Sequence, residues 1–401
     1  MNAKKFFTLA LLPICFLNFT GLRLSAAAAP DIVWMTNAHF QPISAVALSS
    51  DGNSVASSGL LGGLYGYVDF RRTADAELVK AFPFLQEDIL ALAISPDGDY
   101  LAIGGGGGGE SVGKFKVWQF SANKWSYFRY AAQGEYVSML SFSPDGLLIG
   151  LGTDASHFSM YNVTGPTNGN FDDSPHTGRL TAFAFSPASK TLATTGSEGM
   201  AKLWDYTNVL SDSSFLKAYG GHTAAINSVQ FTSDGLELIT ASSDTTILIQ
   251  RVDTGEVRLT LHDEGPVNKI AVSSDGRTLL SAGSKIKFWR LSDGLLLRTF
   301  DAETVGVSAL DISKDGRFFA YGRQDGTVVL ARMPLWITDV IRNDGQLITH
   351  WQGGSGLYQL QSRPSLTSGE WQNVGTPTTA TSATNTVAGT VFYRVQSLPN
   401  P

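Results

Sequence analysis

A four-residue turn signature recurs along most of this chain at nearly constant spacing. Its clearest copies read Ser-Pro-Asp-Gly, at residues 95–98 and 143–146. Weaker copies lie at 49–52, 186–189, 232–235, 273–276 and 313–316. The aspartate positions of successive copies are 46, 48, 43, 46, 41 and 40 residues apart. A sevenfold repeat of this regularity indicates one supersecondary unit that is copied along the chain.

The segments on either side of each turn have the pattern of short β-strands. Apolar residues alternate with small or polar ones before the turn, as in 137–142, and a second apolar segment follows, as in 147–151. Such alternation predicts strands with one face more buried than the other. Asp-Gly supplies the positive φ that a tight hairpin needs. A third strand follows in most units, as in GKFKVWQF at 113–120, and a fourth leads into the next unit, as in EVRLTLH at 256–262.

A four-stranded unit of about 40–45 residues has the length of one β-propeller blade. Residues 31–334 hold seven such units without a long remainder. We therefore predict an all-β fold, a seven-bladed β-propeller of four-stranded blades followed by a small C-terminal β domain. Because the seventh unit has only three strands, we expect Ile32 to Met35 to supply the fourth and close the ring. The alternative is a disordered N-terminus of the mature chain.

Two segments of the repeat resemble the WD-repeat β-propeller family: GGH…VQFTSDGLELITASSDTTILIQ at 220–250 and FAFSPASKTLATTGSEGMAKLWD at 183–205. The family's structural tetrad of His, Ser, Asp and Trp is largely lost here. In the fourth unit the resemblance assigns the hydroxyl to Ser197, with Gly199 in place of the aspartate. In the fifth unit Gln250 stands in place of the tryptophan. The remaining tetrad residues have an implied turn-bracing role: His39, His176, Trp204, His222, Ser242, Asp244, His262, Trp289 and Asp325.

The resemblance also implies where a partner would bind. In this family, partners usually dock on the face formed by two sets of loops, which join the fourth strand to the next first strand and the second strand to the third. Aromatic and arginine side chains are the usual anchors of protein interfaces. Carried over by position, the implied partner-binding residues are Phe40, Phe84, Tyr136, Arg179 and Arg323.

Residues 1–29 have the order of a secretory signal peptide. Lys4 and Lys5 precede a mostly apolar stretch, Phe6 to Phe19, and a run of small residues follows. This stretch is shorter than the roughly 20 residues of a membrane-spanning helix, although an uncleaved anchor is the alternative. We expect a secreted protein, periplasmic or extracellular, without an integral membrane span in the mature chain. The only cysteine, Cys15, lies in this segment, so we expect no disulfide in the mature protein.

The charge balance disfavours two classes of partner. Loss of residues 1–29 removes three basic residues and no acid, which changes the formal net charge from −6 to −9. Phosphate backbones and anionic membranes attract basic surfaces. We therefore expect no nucleic-acid partner, although a local basic patch is compatible with this net charge. We also expect a protein partner and a monomeric chain.

Residues 335–401 have a different composition, richer in Thr, Ser and Gln, and the turn signature stops before them. Four segments read as strands: LITHWQ (347–352), GLYQLQS (356–362), EWQNVG (370–375) and TVFYRVQ (390–396). The segment resembles small β-sandwich modules at the C-termini of secreted bacterial proteins. Its expected core residues are Trp351, Tyr358, Leu360, Trp371, Phe392 and Tyr393. A degenerate eighth blade is the alternative, but no Asp-Gly turn lies at the required spacing.

Two motifs resemble ligand-binding loops but lack residues that such loops require. Gly104 to Gly109 lack the Lys-Ser/Thr that a phosphate loop requires, so we interpret them as an expanded loop between the second and third strands of the second unit. The spacing of Asn168, Asn170 and Asp172 is that of a calcium loop, but the glycine and glutamate that such a loop needs later are absent. We predict no cofactor, metal or catalytic residue.

Two hypotheses of function follow. The first is a secreted or envelope scaffold without enzymatic activity, which binds a protein partner on the loop face of the propeller. The second is a propeller enzyme, a hydrolase or oxidoreductase with its site in the central channel. Fold alone does not choose between them, and the sequence contains no HExxH or G-x-S-x-G motif that would favour the enzyme.

Overall fold

The computed structural model is all-β in the parts of the chain that it describes. These parts are residues 32–39, 41–61, 65–84, 88–107, 110–133, 135–163, 168–169, 176–207, 214–300, 306–334, 336–343, 346–352, 357–363, 370–380, 382–386 and 392–398. The predicted signal peptide lies outside them. A search of the described residues finds no helix with the length and apolar character needed to cross a membrane.

Seven four-stranded sheets form the blades, and in six of them the four strands are consecutive in the chain and follow one another in the sheet. Blades 1 to 3 contain β2 (Ala45–Leu48), β3 (Ser54–Leu61), β4 (Tyr65–Arg72), β5 (Leu78–Phe84), β6 (Asp88–Ile94), β7 (Tyr100–Gly107), β8 (Glu110–Gln119), β9 (Lys124–Gln133), β10 (Val137–Phe142), β11 (Leu148–Thr153), β12 (Phe158–Asn162) and β13 (Asn168–Gly169). Blades 4 to 6 contain β14 (Leu180–Phe185), β15 (Thr191–Gly196), β16 (Ala201–Asp205), β17 (Ser214–Tyr219), β18 (Ile226–Phe231), β19 (Glu237–Ser242), β20 (Thr246–Arg251), β21 (Val257–His262), β22 (Lys269–Val272), β23 (Thr278–Ala282), β24 (Ile286–Arg290) and β25 (Leu296–Phe300).

Blade 7 joins the two ends of the propeller. It contains β26 (Val307–Ile312), β27 (Phe318–Arg323), β28 (Thr327–Arg332) and, as its outer strand, β1 (Ile32–Asn37). β1 pairs antiparallel with β28 over Ile32–Asn37, and the indole Nε1 of Trp34 donates to the carbonyl of Thr73 in blade 1 at 2.9 Å. The predictions of seven blades and of closure by the N-terminal strand are therefore confirmed.

The first strands of the blades form the inner ring of the propeller. Each first strand contacts the first strand of the next blade, and the cycle closes between β26 and β2. The apolar clusters lie between neighbouring blades; one of them joins Phe82 of blade 1 to Ile103 and Trp118 of blade 2. Because both faces of a sheet are covered, the second strands are almost uniformly buried, as in β15 and β19. The core is thus a ring of interfaces between sheets.

The repeated turn signature has one hydrogen-bond pattern. In blade 3, Ser143 Oγ donates to Asp145 Oδ1 at 2.6 Å and accepts from the N–H of Leu148 at 3.0 Å, and Gly146 has φ +71°. Equivalent contacts occur in blades 1, 2, 5, 6 and 7. The turn recurs because a hydroxyl, a carboxylate and a glycine at fixed positions close the hairpin between the first two strands.

The glycine run of blade 2 is mostly strand, which corrects the prediction of an expanded loop. Gly104 to Gly107 belong to β7, and β8 begins at Glu110. A methyl group at Gly104 would contact the side chains of Val137 and Leu140 in blade 3 at 2.6 and 2.9 Å. The glycines therefore allow close packing of blades 2 and 3.

Contacts within the chain separate residues 32–331 from residues 332–401, three residues before the predicted boundary at 334. The second unit has two three-stranded sheets, built from β29 (Trp336–Asn343), β30 (Gln346–Gln352), β31 (Leu357–Arg363), β32 (Gln372–Asn373), β33 (Ser382–Thr386) and β34 (Phe392–Leu398). Trp351 of β30 and Tyr358, Leu360 and Val395 of the other sheet form one buried cluster. Within the Thr-rich run 376–386, residues 382–386 are strand.

Candidate protein-interaction face

Antiparallel pairing places two sets of loops at one end of the propeller. Because the strands of a blade alternate in direction, the loop from the fourth strand to the next blade and the loop from the second to the third strand lie at the same end. We call this end the loop face. The Asp-Gly turns, which join the first strand to the second, lie at the opposite end.

In blade 5 a histidine connects the two loops. His222 Nδ1 lies 2.9 Å from Asp244 Oδ2, and His222 Nε2 lies 2.9 Å from Thr240 Oγ1. Burial alone would raise the pKa of Asp244, but hydrogen bonds from Thr246, Thr223 and His222 lower it well below its usual range. The carboxylate therefore holds both loops in place, as the resemblance implied for this residue.

Ser242 braces its turn, as the resemblance implied, but its hydroxyl is not the one that contacts His222. Its hydroxyl donates to the carbonyl of Ala224 and accepts from the N–H of Asp244 at 3.1 Å. It therefore braces the turn, while the histidine pairs with Thr240, two residues earlier on β19. Gln250, at the tryptophan position, donates to the carbonyl of Gly220 at 3.0 Å.

Blade 4 has an almost complete network, with a glutamate as its acid. His176 Nδ1 lies 2.5 Å from Glu198 Oε1, and Thr194 Oγ1 lies 2.9 Å from both His176 Nε2 and Trp204 Nε1. The predicted hydroxyl was Ser197 and the predicted acid position was Gly199, so both assignments are wrong. Burial lowers the pKa of His176 despite the opposing effect of Glu198.

Replacement of Thr194 by valine is expected to reduce stability substantially. The methyl group fills the same volume but leaves His176 Nε2 and Trp204 Nε1 without their shared partner. We expect the free energy of unfolding to fall by about 2–3 kcal/mol, measured by urea titration. Thr191→Val is the matched control, because the Thr191 hydroxyl bonds the exposed Ser189 hydroxyl. A loss no larger than that of the control would contradict the network's contribution.

Blade 6 has the opposite arrangement of charge. Asp263 occupies the loop position, and its Oδ1 lies 2.7 Å from Lys287 Nζ, with both side chains buried. Ser281 Oγ accepts from Trp289 Nε1 at 2.9 Å. The side chain of His262 is exposed, so the predicted bracing by His262 is wrong. The next residue, Asp263, takes that position. Blade 3 is similarly inverted: Glu135, on the loop that enters the blade, pairs with His157, on the loop between β11 and β12.

The two blades at the ring closure keep fewer of these contacts. In blade 1, His39 Nε2 lies 3.2 Å from Ser57 Oγ, and burial lowers the pKa of His39 to about 4. The N–H of His39 donates to the carbonyl of Gly326 in blade 7 at 3.2 Å. Asp325 Oδ1 accepts from the N–H of Thr327 at 2.9 Å, so it braces its own turn.

The predicted partner-binding residues occupy separate blades. Tyr136 is half-buried and begins blade 3, and its N–H donates to Asp154 Oδ1 at 2.7 Å. Arg179 is exposed at the start of blade 4. Arg323 ends β27, and its Nη1 lies 3.9 Å from Asp325 Oδ2. Phe40 lies outside the described residues, as does the side chain of Phe84.

The structure connects the loops that carry Tyr136 and Arg179. Ser156, on the loop between the second and third strands of blade 3, accepts from the N–H of Leu180 at 3.0 Å. Its hydroxyl also donates to the carbonyl of Gly178 at 3.4 Å. The backbone on both sides of Arg179 is therefore attached to blade 3, and these two candidate residues lie on linked loops of neighbouring blades.

Polar side chains on or beside the inner strands form hydrogen bonds with backbone groups of the next blade. Ser308 Oγ donates to the carbonyl of Ile43 at 2.6 Å, and Ser44 Oγ donates to the carbonyl of Ile89 at 2.5 Å. Asp311 Oδ2 accepts from the N–H of Leu48 at 2.7 Å. These contacts occupy backbone groups on the free edges of the first strands. Sequence reasoning missed Asp311, although a carboxylate within the otherwise uncharged strand Val307–Ile312 is a signal of such a role.

Asp311 should give stability an unusual pH dependence. Burial raises the pKa of Asp311 to about 6 from 3.8, although the N–H groups of Leu48 and Ile312 oppose this rise. The folded protein therefore retains this proton between pH 4 and 6 when the unfolded chain has lost it. The stabilisation that comes from the raised pKa of Asp311 is complete below pH 4. It decreases as pH rises to 6, by at most about 1.4 kcal/mol per pH unit.

The variant Asp311→Asn tests the direction of this pH dependence of stability. We expect its melting temperature to increase relative to that of the unaltered protein between pH 4 and pH 7, whatever the difference at pH 4. The lowered pKa of His39 acts in the opposite direction, since its stabilising effect increases as pH rises from 4 to 6.5. His39 is present in both proteins, so its effect cancels in the difference. A difference that is constant with pH would contradict the assignment.

Comparison with known proteins agrees with this geometry. A family model described as "WD domain, G-beta repeat" matches residues 171–205, 213–249, 255–290 and 294–330. The last three segments each contain the outer strand of one blade and most of the three inner strands of the next blade. One sequence repeat therefore spans two blades. The family matches end at residue 330, so the resemblance of the C-terminal segment to bacterial modules stays a prediction.

Several eukaryotic proteins are similar to parts of the chain. It is 30% identical over 210 residues to the guanine nucleotide-binding protein subunit beta of Nicotiana tabacum, over 48% of this chain and 56% of that protein. It is 38% identical over 105 residues to pre-mRNA-processing factor 19 homolog 2 of Arabidopsis thaliana, over 26% of this chain and 18% of that protein. It is 30% identical over 183 residues to human WD repeat-containing protein 36, over 44% of this chain and 19% of that protein.

The chain thus spans less than two thirds of each of these relatives. Their eukaryotic origin gives no support to a bacterial source, which the resemblance of residues 335–401 to modules of secreted bacterial proteins would imply. The matches and the sheet order agree on the architecture of the larger unit. Residues 32–331 form a seven-bladed β-propeller, and its fourth to seventh blades carry WD40 repeats.

Proposed function

We propose that this protein is a non-enzymatic scaffold whose loop face binds a protein partner. WD-repeat propellers are typically protein-interaction scaffolds, and this chain carries four matches to the WD40 repeat. The observation that carries the proposal is the set of ion pairs beneath the loop face, in each of which at least one side chain is buried. In blades 3 to 6 an acid and a base pair across this end of the blade: Glu135–His157, His176–Glu198, His222–Asp244 and Asp263–Lys287.

These pairs hold the loops before any partner arrives. A loop that is already ordered loses less conformational entropy on binding, so more of the contact energy remains as affinity. The linked loops of blades 3 and 4 present Tyr136 and Arg179, and tyrosine and arginine are enriched among residues that dominate interface energy. The proposed centre of the face is therefore the pair Tyr136 and Arg179, with Arg323 toward the ring closure.

A paired comparison tests the proposed face. Purified unaltered protein and the double variant Tyr136→Ala, Arg179→Glu are each cross-linked to extracts of the source organism, and captured proteins are quantified by mass spectrometry. We expect at least one abundant captured protein to fall about tenfold or more with the double variant. Lys217→Glu, on the outer strand of blade 4, is the control and should leave capture unchanged. Equal capture by all three proteins would contradict the proposed face.

We further propose that the protein acts outside the cytoplasm. Support comes from the order of charges and apolar residues in 1–29, which is that of an export signal. N-terminal sequencing of the mature protein is expected to begin near residue 30. Recovery of intact Met1 in the soluble cytoplasmic fraction would contradict export.

A further inference from the structure

The outer hairpin of blade 2 concentrates positive charge on an acidic protein. The segment from Glu110 to Gln133, here called the basic hairpin, contains β8, β9 and their connecting turn. It has four basic residues, Lys114, Lys116, Lys124 and Arg129, and Glu110 is its one acid. The equivalent segments of blades 1, 4 and 5 each have equal numbers of basic and acidic residues, whereas the whole chain has a net charge of −6.

Aromatic side chains from two blades support this surface. Trp125 of β9 lies edge-to-face on Trp118 of β8 and on Phe82 of blade 1, with ring centroids 5.2 and 5.7 Å apart. Trp118 and Phe82 are buried, whereas Trp125 is 41% exposed. Lys80 Nζ lies 3.8 Å from the Trp118 ring centroid and Lys116 Nζ lies 5.8 Å from that of Trp125. An exposed tryptophan on a fixed aromatic base, with ammonium groups beside it, is suited to anchor a partner.

Lys124 extends the positive surface along β9. It is exposed and borders a groove of about 340 Å³, together with Tyr100, Gln119 and Ser126. Among the described residues, neither Lys124 nor Lys80 forms an ion pair with an acid. The nearby carboxylate of Asp99 accepts hydrogen bonds from Ser121 and Gln119.

The backbone of β9 offers a further set of contacts. β9 has ten residues, against six in each of β17 and β21 and five in β25. It is the last strand of its sheet, so within the described residues its outer edge has no strand partner. An extended peptide can add to such an edge through main-chain hydrogen bonds, while its side chains contact the flanking residues.

We propose that the basic hairpin binds an extended acidic segment of a partner protein, which adds to the outer edge of β9 and packs against Trp125. Charge complementarity favours an acidic segment, since Lys116 lies beside Trp125, Lys80 lies over the neighbouring Trp118, and Lys124 precedes Trp125 on β9. A peptide meets only this local surface. A membrane or a nucleic acid is a larger anion and meets the net negative charge of the whole protein as well. This surface is separate from the loop face, so the two proposals fail or hold independently.

The probe is a synthetic peptide of alternating glutamate and valine, about ten residues long to match β9, with a fluorescent label. Fluorescence anisotropy against the full chain should show saturable binding that weakens as salt rises. Hydrogen exchange should show added protection of the β9 amides in the complex. The same peptide with lysine in place of glutamate is expected not to bind.

Two variants separate the proposed contacts from general charge effects. Trp125→Ala with Lys124→Glu is expected to raise the peptide Kd by about tenfold or more. Phe215→Ala with Lys217→Glu is the matched control, because Phe215 pairs with Trp204 on blade 4 as Trp125 pairs with Trp118, it is 53% exposed, and Lys217 lies on the same strand. Melting curves establish that all variants fold.

Three results would overturn the proposal. They are absence of peptide binding, equal binding by the double variant, and protection confined to strands other than β9. Anionic vesicles of phosphatidylglycerol and a heparin oligosaccharide are tested in parallel. Tighter binding of either than of the peptide, with the same loss in the double variant, would assign the surface to that anion and reject a protein partner.

Discussion

Deletion of Ile32–Asn37 is expected to lower the free energy of unfolding by about 4 kcal/mol or more. Without β1, the edge of β28 has no partner strand. The apolar cluster between blades 7 and 1 also loses Val33 and Trp34, together with the hydrogen bond from Trp34 to Thr73. For a domain of this size the melting temperature should fall by about 6 °C or more.

The reference for this measurement is a chain that begins at Pro30, and the deletion variant is the same chain without Ile32–Asn37. Met35→Ala is the control for an effect of sequence alone, because Met35 is exposed on the same strand, and its cost should be within about 0.5 kcal/mol. Addition of a peptide with the sequence of residues 32–37 should restore part of the lost stability. A melting temperature within about 2 °C of the reference would show that closure by β1 contributes little.

Gly326→Ala is the second substitution for which we expect a large loss of stability. Gly326 has φ +82°, and a methyl group there would overlap the carbonyl oxygen of His39 across the ring closure. The left-handed conformation alone costs an alanine about 1–2 kcal/mol, and the overlap adds a displacement of the loop. We expect a total loss of about 3–4 kcal/mol in the free energy of unfolding.

Gly316→Ala in the same blade separates these two costs. Gly316 has φ +71°, close to that of Gly326, but no atom lies within 4 Å of the position of an added methyl group. The loss of stability in Gly316→Ala should be about 1–2 kcal/mol, which is the conformational part alone. Equal losses in the two variants, measured by urea titration, would show that the contact with His39 is accommodated without strain.

The fold was predictable because its signals are local and repeated. A hydroxyl, a carboxylate and a glycine close each hairpin within a few residues, so the turn can be read directly from the chain. The number of blades then follows from spacing alone. The third and fourth strands were predictable from the same alternation, and only the glycine run of blade 2 was mistaken for a loop, because glycine disfavours strands unless a neighbour packs closely.

The loop-face networks were less predictable because they depend on register between distant residues. The histidines of blades 4 and 5 contact Thr194 and Thr240 rather than Ser197 and Ser242. The hydroxyl that reaches each histidine lies two or three residues before the serine, within the second strand of the blade. Asp263 replaces a histidine that stands next to it in sequence, and its partner is a lysine. A pattern that expects one acid and one base in fixed order cannot find a pair with the charges exchanged. Contacts in the folded blade determine whether the acid or the base stands at the loop position.

The pairing of β1 with β28 has a consequence for how the protein is made. The strand synthesised first meets its partner only after residues 327–332 have emerged from the ribosome. Joining segments nearly 300 residues apart costs about 5 kcal/mol in loop-closure entropy if the chain between them is unstructured. The intervening blades must therefore fold first and bring the two strands together, and β1 waits uncovered until the last blade is complete.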